Sequence, residues 1–177
     1  MKQQLQALVP PLDAITTDDE RYMREAIREA IKAFERDEVP IGAVIVKDGH
    51  IIARGYNQVE LLRDATAHAE MLAITAAESA LENWRLSKAT LYSTIEPCAM
   101  CAGAILLSRL DRVVWGAPDI RVGANGSWID LFSVQHPIHT VQIQGNVLLE
   151  WCQKPLKLFF QKRREENAES KRTRADD

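Results

Sequence analysis

Two short segments of this chain, His68-Ala69-Glu70 and Pro97-Cys98-Ala99-Met100-Cys101, carry three side chains of the kind that bind zinc. To share one ion, an imidazole and two thiolates from separate parts of the chain must converge on a single point, and no other feature restricts the fold as much. Cys98 and Cys101 lie three residues apart, a spacing that puts both on one face of a helix. Pro97 stands just before them, and proline suits the first turn of a helix, where its missing N–H would have no partner anyway. The small apolar run over 99–107 extends that helix. The positive end of its dipole lowers the thiol pKa values and favours the metal-binding thiolate. Three protein ligands leave the fourth tetrahedral position to water, which is the arrangement of a catalytic zinc and not of a closed structural one.

Glu70 is two residues from His68, and positions i and i+2 do not share a helical face. His68 is therefore expected at the entrance of a helix over 67–81, where both side chains reach one pocket. A carboxylate beside the metal but not bound to it can move protons, worth on the order of 10²–10⁴-fold in rate. Glu70 is assigned that role. A C-x-x-C pair by itself also serves redox sites and closed zinc knuckles, and a closed site needs a fourth Cys or His. Cys152 lies in a run of helical spacing with Val147, Leu148, Trp151 and Leu156 and reads as a buried small hydrophobe. His50, His136 and His139 have no motif around them and read as surface or loop histidines.

A chain of 177 residues suits one domain with a core large enough to hold without disulfides. Three cysteines, two of them assigned to metal, give no disulfide framework and fit a reducing compartment. Apolar pieces in the first seventeen residues are broken by Pro10 and Pro11, unlike a signal peptide, and no apolar run approaches the ~20 residues of a membrane span. The expectation is a cytoplasmic protein with a flexible extension over 1–17, a single zinc-dependent domain over 18–168 and a disordered tail over 169–177. The net charge of −3 argues against a polyanionic partner, yet from Trp151 onward eight Lys or Arg face five Asp or Glu. Lys154, Lys157, Lys162, Arg163 and Arg164 fall on the last predicted helix and its exit, where they can meet phosphates. The bland alternative is a solvated helix face.

Thr17-Asp18-Asp19-Glu20 fits a capping box, followed by apolar residues at helical spacing from Tyr22 to Phe34. Two strand-length runs, 41–47 and 51–56, flank Asp48-Gly49, a hairpin signal. Ala89–Ile95 reads as a strand delivering Pro97 and the cysteines, Arg112–Ala117 as another, and 140–144 as a weaker one. Gly123, Gly126 and Pro137 mark a long loop with a functional or interface use. A last helix from about Asn146 contains Pro155, which is expected to kink or interrupt it. Five strands with helices between them make a three-layer α/β/α domain.

The combination H-x-E … P-C-x-x-C is the signature of zinc nucleobase deaminases. Beyond it, over roughly residues 18–166, the chain resembles the TadA-type tRNA-specific adenosine deaminases of the cytidine deaminase-like superfamily. The matching residues are 38–44 (Glu-Val-Pro-Ile-Gly-Ala-Val), Asn57, 66–70, 96–104, Ser108-Arg109, 112–117, Asp119, Gly123-Ala124, Gly126-Ser127, Phe159-Phe160 and Arg163-Arg164. The resemblance implies a five-stranded mixed sheet of order 2-1-3-4-5, one Zn²⁺ per chain with no organic cofactor, and a homodimer. It implies conversion of adenosine to inosine at the wobble position of a tRNA, with the anticodon stem-loop as partner. It places Asn57 and Ala69 at the substrate, Asn57 hydrogen-bonded to the adenine. Asp119 would touch the anticodon ribose–phosphate, while Phe159, Phe160 and Arg163 sit on a C-terminal helix packed on the anticodon loop. Read without the resemblance, Asn57 and Asp119 are turn residues and the two phenylalanines are core or dimer contacts. The chain departs from its relatives at Pro118, where a basic residue is usual, at Gln58-Val59 and Asp64-Ala65, and over the first seventeen residues. Two rivals remain: a deaminase of free cytosine, guanine or a nucleotide on the same fold, and a catalytically silent zinc- and RNA-binding module, against which the presence of Glu70 speaks.

Overall fold

Alternation along the strands decides the layering. In the computed structural model, which describes residues 5–133 and 139–173, Ala43 and Ile45 enter one core and Val44 and Val46 the other. Leu91 and Tyr92 split in the same way, as do Val113 and Val114. A sheet apolar on both faces must be covered on both. The strands β1 (Gly42–Lys47), β2 (His50–Tyr56), β3 (Ala89–Ile95), β4 (Arg112–Ala117) and β5 (Gln142–Gln144) form one sheet of order β2-β1-β3-β4-β5. β1 is antiparallel to β2 and β3, while β3, β4 and β5 are parallel. The hairpin turn has positive φ at both Asp48 (50°) and Gly49 (76°), the backbone a type I′ turn demands.

The helices are α1 (Asp18–Glu35), the short α2 (Val59–Leu62), α3 (Ala69–Ala80), α4 (Ala99–Leu107) and α5 (Leu149–Thr173). α1 and α5 cover one face through Met23, Ile27, Phe34, Cys152 and Phe159. α3 and α4 cover the other through Ala73, Ile74, Ala77 and Ile105. The capping box forms: the Thr17 hydroxyl accepts from Glu20 N at 3.2 Å and the Glu20 carboxylate accepts from Thr17 N at 3.1 Å. One turn in, Asp19 is gripped by both guanidinium nitrogens of Arg112 (2.6 and 2.7 Å) and by the Tyr92 hydroxyl (2.9 Å), which fastens the start of α1 to β3 and β4.

The ends of the chain differ from the sequence reading. Asn146 and Leu148 take left-handed φ of 64° and 52°, so α5 begins at Leu149 and not near Asn146. Pro155 does not interrupt α5. Its ring is buried in the stripe of Cys152 and Phe159 that holds the helix on the sheet, and this packing offsets the lost backbone bond. Ion pairs from Lys162 (3.3 Å) and Arg163 (2.8 Å) to Asp37 secure the next turns. The helix runs on to Thr173, into a segment whose composition predicts a disordered tail. At the other end, Leu5 and Val9 are buried in the α1–α5 core, and Arg24 Nε donates to Pro10 O at 2.7 Å. From Leu5 onward the extension is docked by Leu5, Leu8 and Val9, whose i, i+3, i+4 spacing spans a single turn before Pro10 and Pro11 and is too short to stand out as a periodic run. Cys152 is buried and His50 exposed, as expected, whereas His136 lies outside the described residues. No helix among the described residues is long and apolar enough to cross a membrane.

Arg112 holds the Asp19 carboxyl below its ordinary 3.8, chiefly through their hydrogen bond. A lowered folded pKa contributes stability that is complete above 3.8 and fades as pH falls through the folded value. Asp19→Asn is therefore expected to cost about 1 kcal/mol at pH 7, the modest value of a partly exposed pair. In urea unfolding the gap to the parent protein should narrow as pH falls below 3.8 and close once it is below the lowered folded value.

Candidate active site

The backbone before α3 and α4 turns in the same way. His68 (φ −71°, ψ 153°) and Cys98 (φ −72°, ψ 172°) are both extended N-cap residues, and neither spends its side chain on capping. Each is free to point away from its helix. The three ligand atoms form a triangle: His68 Nδ1 lies 3.6 Å from Cys98 Sγ and 3.6 Å from Cys101 Sγ, and the two sulfurs are 3.6 Å apart. Bonds of ~2.3 Å to sulfur and ~2.0–2.1 Å to nitrogen at tetrahedral angles require edges of about 3.6 Å for N···S and about 3.8 Å for S···S. The triangle thus fits zinc without rearrangement. It is the one such group of ligands among the described residues, and neither Glu70 nor Cys152 belongs to it.

The electrostatics suit a metal. Cys98 falls to about 4, chiefly through its hydrogen bond with Cys101 and aided by His68. The remaining proton is held on Cys101, whose pKa rises through the same hydrogen bond and through burial. His68 is raised by its bond to Cys98 against the opposing effect of burial. One thiolate is therefore ready, and a bound cation displaces the second proton. Glu70, in the first turn of α3, is 2% exposed. Burial drives its carboxyl above the ordinary glutamate range, with Ser93 Oγ donating to Oε1 at 3.1 Å. A carboxyl raised in this way beside a metal triangle is suited to taking and returning a proton.

Asn57 follows directly after β2 and is 5% exposed. Its N–H donates to Ile41 O (3.0 Å), and the next N–H, of Gln58, donates to Ala67 O (3.0 Å). The strand end is thereby stitched to the turn that leads into His68. Gly55 makes this approach possible, since a Cβ there would collide with the Ala69 carbonyl. Ala69 itself is fully buried at the start of α3. Asn57 Nδ2 donates to Glu38 Oε2 at 3.1 Å.

A second carboxylate organises the loop after β4. Glu96, 1% exposed, accepts from the backbone N–H groups of Asp119 (3.1 Å), Asn125 (2.7 Å) and Ser127 (3.3 Å) and from the Ser127 hydroxyl. Gly123 is required here because a Cβ would strike that carboxylate. Ala124 N donates to Pro97 O at 2.8 Å, and Cys98 pairs with Gly123 in an isolated bridge, so the loop rests on the metal motif. Asp119 caps its own turn by accepting from Arg121 N at 3.0 Å. Sequence alone assigns no role to Glu38 or Glu96. Their one signal is a lone carboxylate at the edge of an apolar strand, which is costly to bury unless it is well bonded.

Phe159, Phe160 and Arg163 stand apart from the metal. Phe159 is core, 4% exposed and edge-on to Phe34, and only its small accessible edge borders the groove that Phe160 lines. Phe160, 37% exposed, and Arg163 line a groove of 690 Å³ with Arg36, Val39 and Leu61. Arg163 is already paired with Asp37 and Glu166.

Comparison with known proteins agrees with this geometry. The family described as the cytidine and deoxycytidylate deaminase zinc-binding region matches residues 16–117. The tRNA-specific adenosine deaminase of Bacillus subtilis is 50% identical, across 84% of this chain and 92% of its own length. The chain belongs to the tRNA-specific adenosine deaminase family. A chloroplastic tRNA(adenine(34)) deaminase of Arabidopsis thaliana is 51% identical over 83% of this chain, which spans 12% of that much longer protein. A solved structure from work on A-to-I editing by tRNA:A34 deaminases superposes with a TM-score of 0.74 at 43% identity, covering 77% of this chain and 99% of the other. As a zinc-dependent deaminase, the protein should keep its metal and fold in Glu70→Gln while turnover falls by about 10²–10⁴-fold, read as zinc content, melting temperature and kcat.

Proposed function

We propose that this chain converts adenosine to inosine at the wobble position of tRNA anticodons. The observation that carries the reading is a three-ligand zinc triangle with a buried, non-ligating carboxylate beside it, in a chain half identical to tRNA-specific adenosine deaminases. When bound, the metal acts as a Lewis acid that lowers the pKa of a water to about 7. His68, Cys98 and Cys101 would hold that metal. Glu70 would take one proton from the attacking water and deliver it to ring N1 as the oxygen adds to C6. It would then carry the proton released by the new C6 hydroxyl to the amino group, so that the C6–N bond breaks, ammonia leaves and C6 becomes a carbonyl. The Asn57 amide and the backbone at Ala69 orient the base, which supplies the positioning on which the rate depends.

The contacts with RNA lie farther out. Splayed loop bases stack on aromatic side chains, and Phe160 offers an exposed ring in a groove bordered by Arg36 and Arg163. Phe159 contributes by holding Phe160 edge-on at a centroid distance of 5.5 Å. Asp119, fixed by Glu96 on the rim of the metal motif, meets the ribose–phosphate. Pro118, next to it, supplies no charge. A homodimer is supported by Leu107 (63% exposed) and Trp84 (48% exposed), which border a shallow apolar groove over α3 and α4 with Met71 and Ala104. The reducing environment the thiols need is that of the cytoplasm.

Incubation with an anticodon stem-loop RNA bearing adenosine at the wobble position should yield inosine, read as guanosine on sequencing. Ammonia release from free guanine or cytosine with no inosine in RNA would overturn the reading. Phe160→Ala is expected to raise KM for the stem-loop roughly tenfold, the worth of one stacked base, and to leave kcat nearly unchanged.

A further inference from the structure

Glu38 touches none of the metal ligands, yet it is 1% exposed and lies one residue removed from the substrate pocket. Its backbone is fixed by the end of α1: Asp37 takes a left-handed φ of 63°, and Glu38 N donates to Ala33 O at 3.0 Å. Its carboxylate meets only donors. Oε2 accepts from Asn57 Nδ2 (3.1 Å) and Glu60 N (3.3 Å), and Oε1 accepts from Leu61 N at 2.6 Å.

A primary amide fits almost equally well in two orientations that exchange its oxygen and its nitrogen. A carboxylate accepts and does not donate, so it holds Asn57 by the NH₂ end. The reverse orientation would set oxygen against oxygen in a buried site, with the cost of two unpaired acceptors. Held this way, Asn57 turns Oδ1 and its second N–H away from Glu38. Those two groups are what a base edge meets. The same carboxylate anchors the first turn of α2, whose N-cap Gln58 makes no side-chain cap of its own. Leu61, on that turn, lines the Phe160 groove. Base pocket and groove wall are thus tied to one side chain.

We propose that Glu38 is a specificity-determining positioning residue, which locks the Asn57 amide in one orientation and thereby selects the donor–acceptor pattern of the base admitted beside Glu70. This rests on the proposed function, in which Asn57 faces the base.

The test is a double-mutant cycle on affinity for a stem-loop RNA carrying purine riboside at the target position, a base that has no amino group to lose, so inactive variants can be measured too. Zinc content and melting temperature are followed in parallel. Glu38→Gln, whose amide can pair with Asn57 in either orientation, should weaken binding roughly ten- to a hundredfold, the range for a lost hydrogen bond to a charged group. Glu38→Asp, which keeps the carboxylate, should weaken it less. In an Asn57→Ala background, Glu38→Gln should change affinity little. In deamination assays on RNAs carrying either base, Glu38→Gln should also narrow the preference for adenosine over cytidine at the target position. An equal loss in both backgrounds, or an unaltered base preference, would overturn the proposal and leave Glu38 as a brace for α2. Wild-type protein that binds free purine riboside and ignores the RNA would reject the RNA reading alone. The same cycle, measured on the nucleoside, then decides the role of Glu38 by the same comparison of backgrounds.

Discussion

Two thiolates and an imidazole have to meet within bonding distance of one ion, and most of the molecule serves that meeting. His68 and Cys98 occupy equivalent places, each an extended residue at the mouth of a helix, on segments that are distant in sequence. What brings them together is the sheet. β2 approaches α3 closely because Gly55 has no side chain, and β3 delivers Pro97 and the cysteines from the centre of the sheet. Apolar residues on both faces of β1, β3 and β4 then trap α3 and α4 on one side and α1 and α5 on the other. A metal triangle with edges of 3.6 Å therefore rests on two hydrophobic cores.

Three buried glutamates divide the work around that triangle, and their bonding distinguishes them. Glu96 and Glu38 are each surrounded by backbone N–H groups and one polar side chain. Such donors stabilise a buried carboxylate through charge-assisted bonds and convert it into a fixed joint, for the 118–127 loop in one case and for Asn57 with α2 in the other. Glu70 has the Ser93 hydroxyl, and burial lifts its pKa. A carboxyl that exchanges its proton readily is what the chemistry needs, and a carboxylate locked by many donors would not serve. The anchor of the 118–127 loop, the joint at Asn57 and the raised carboxyl of Glu70 are thus built from one residue type in three environments.

Much of this is legible in the sequence because it depends on local rules. Thr17 and Glu20 form the predicted capping box, Asp48-Gly49 the predicted turn, and Ala89–Ile95 and Arg112–Ala117 are strands with the predicted ends. His68 sits at the helix entrance because i and i+2 geometry leaves it no other place from which to work with Glu70. What sequence does not reveal is tertiary. Pro155 has the signature of a helix breaker, but its ring joins a buried stripe. Leu5 and Val9 share a helical spacing over one turn only, too short a run to mark them as core, and both are buried. Phe159 and Phe160 are adjacent and look alike, yet one is buried and the other exposed, a distinction that depends on where α5 lies against Phe34. The roles of Glu38 and Glu96 depend on backbone N–H groups more than twenty residues further along the chain, on α2 in one case and on the loop after β4 in the other.

Catalysis at this site requires a metal with one coordination position open to exchange. X-ray absorption spectroscopy of the purified, zinc-loaded protein measures that directly. The expected result is two sulfur neighbours at ~2.3 Å and two light neighbours at ~2.0–2.1 Å, one of them exchangeable and replaced when an anion or a transition-state analogue is added. Two sulfurs with two light neighbours that no added ligand displaces, or a third sulfur in the shell, would mean a closed structural site and would contradict the catalytic reading.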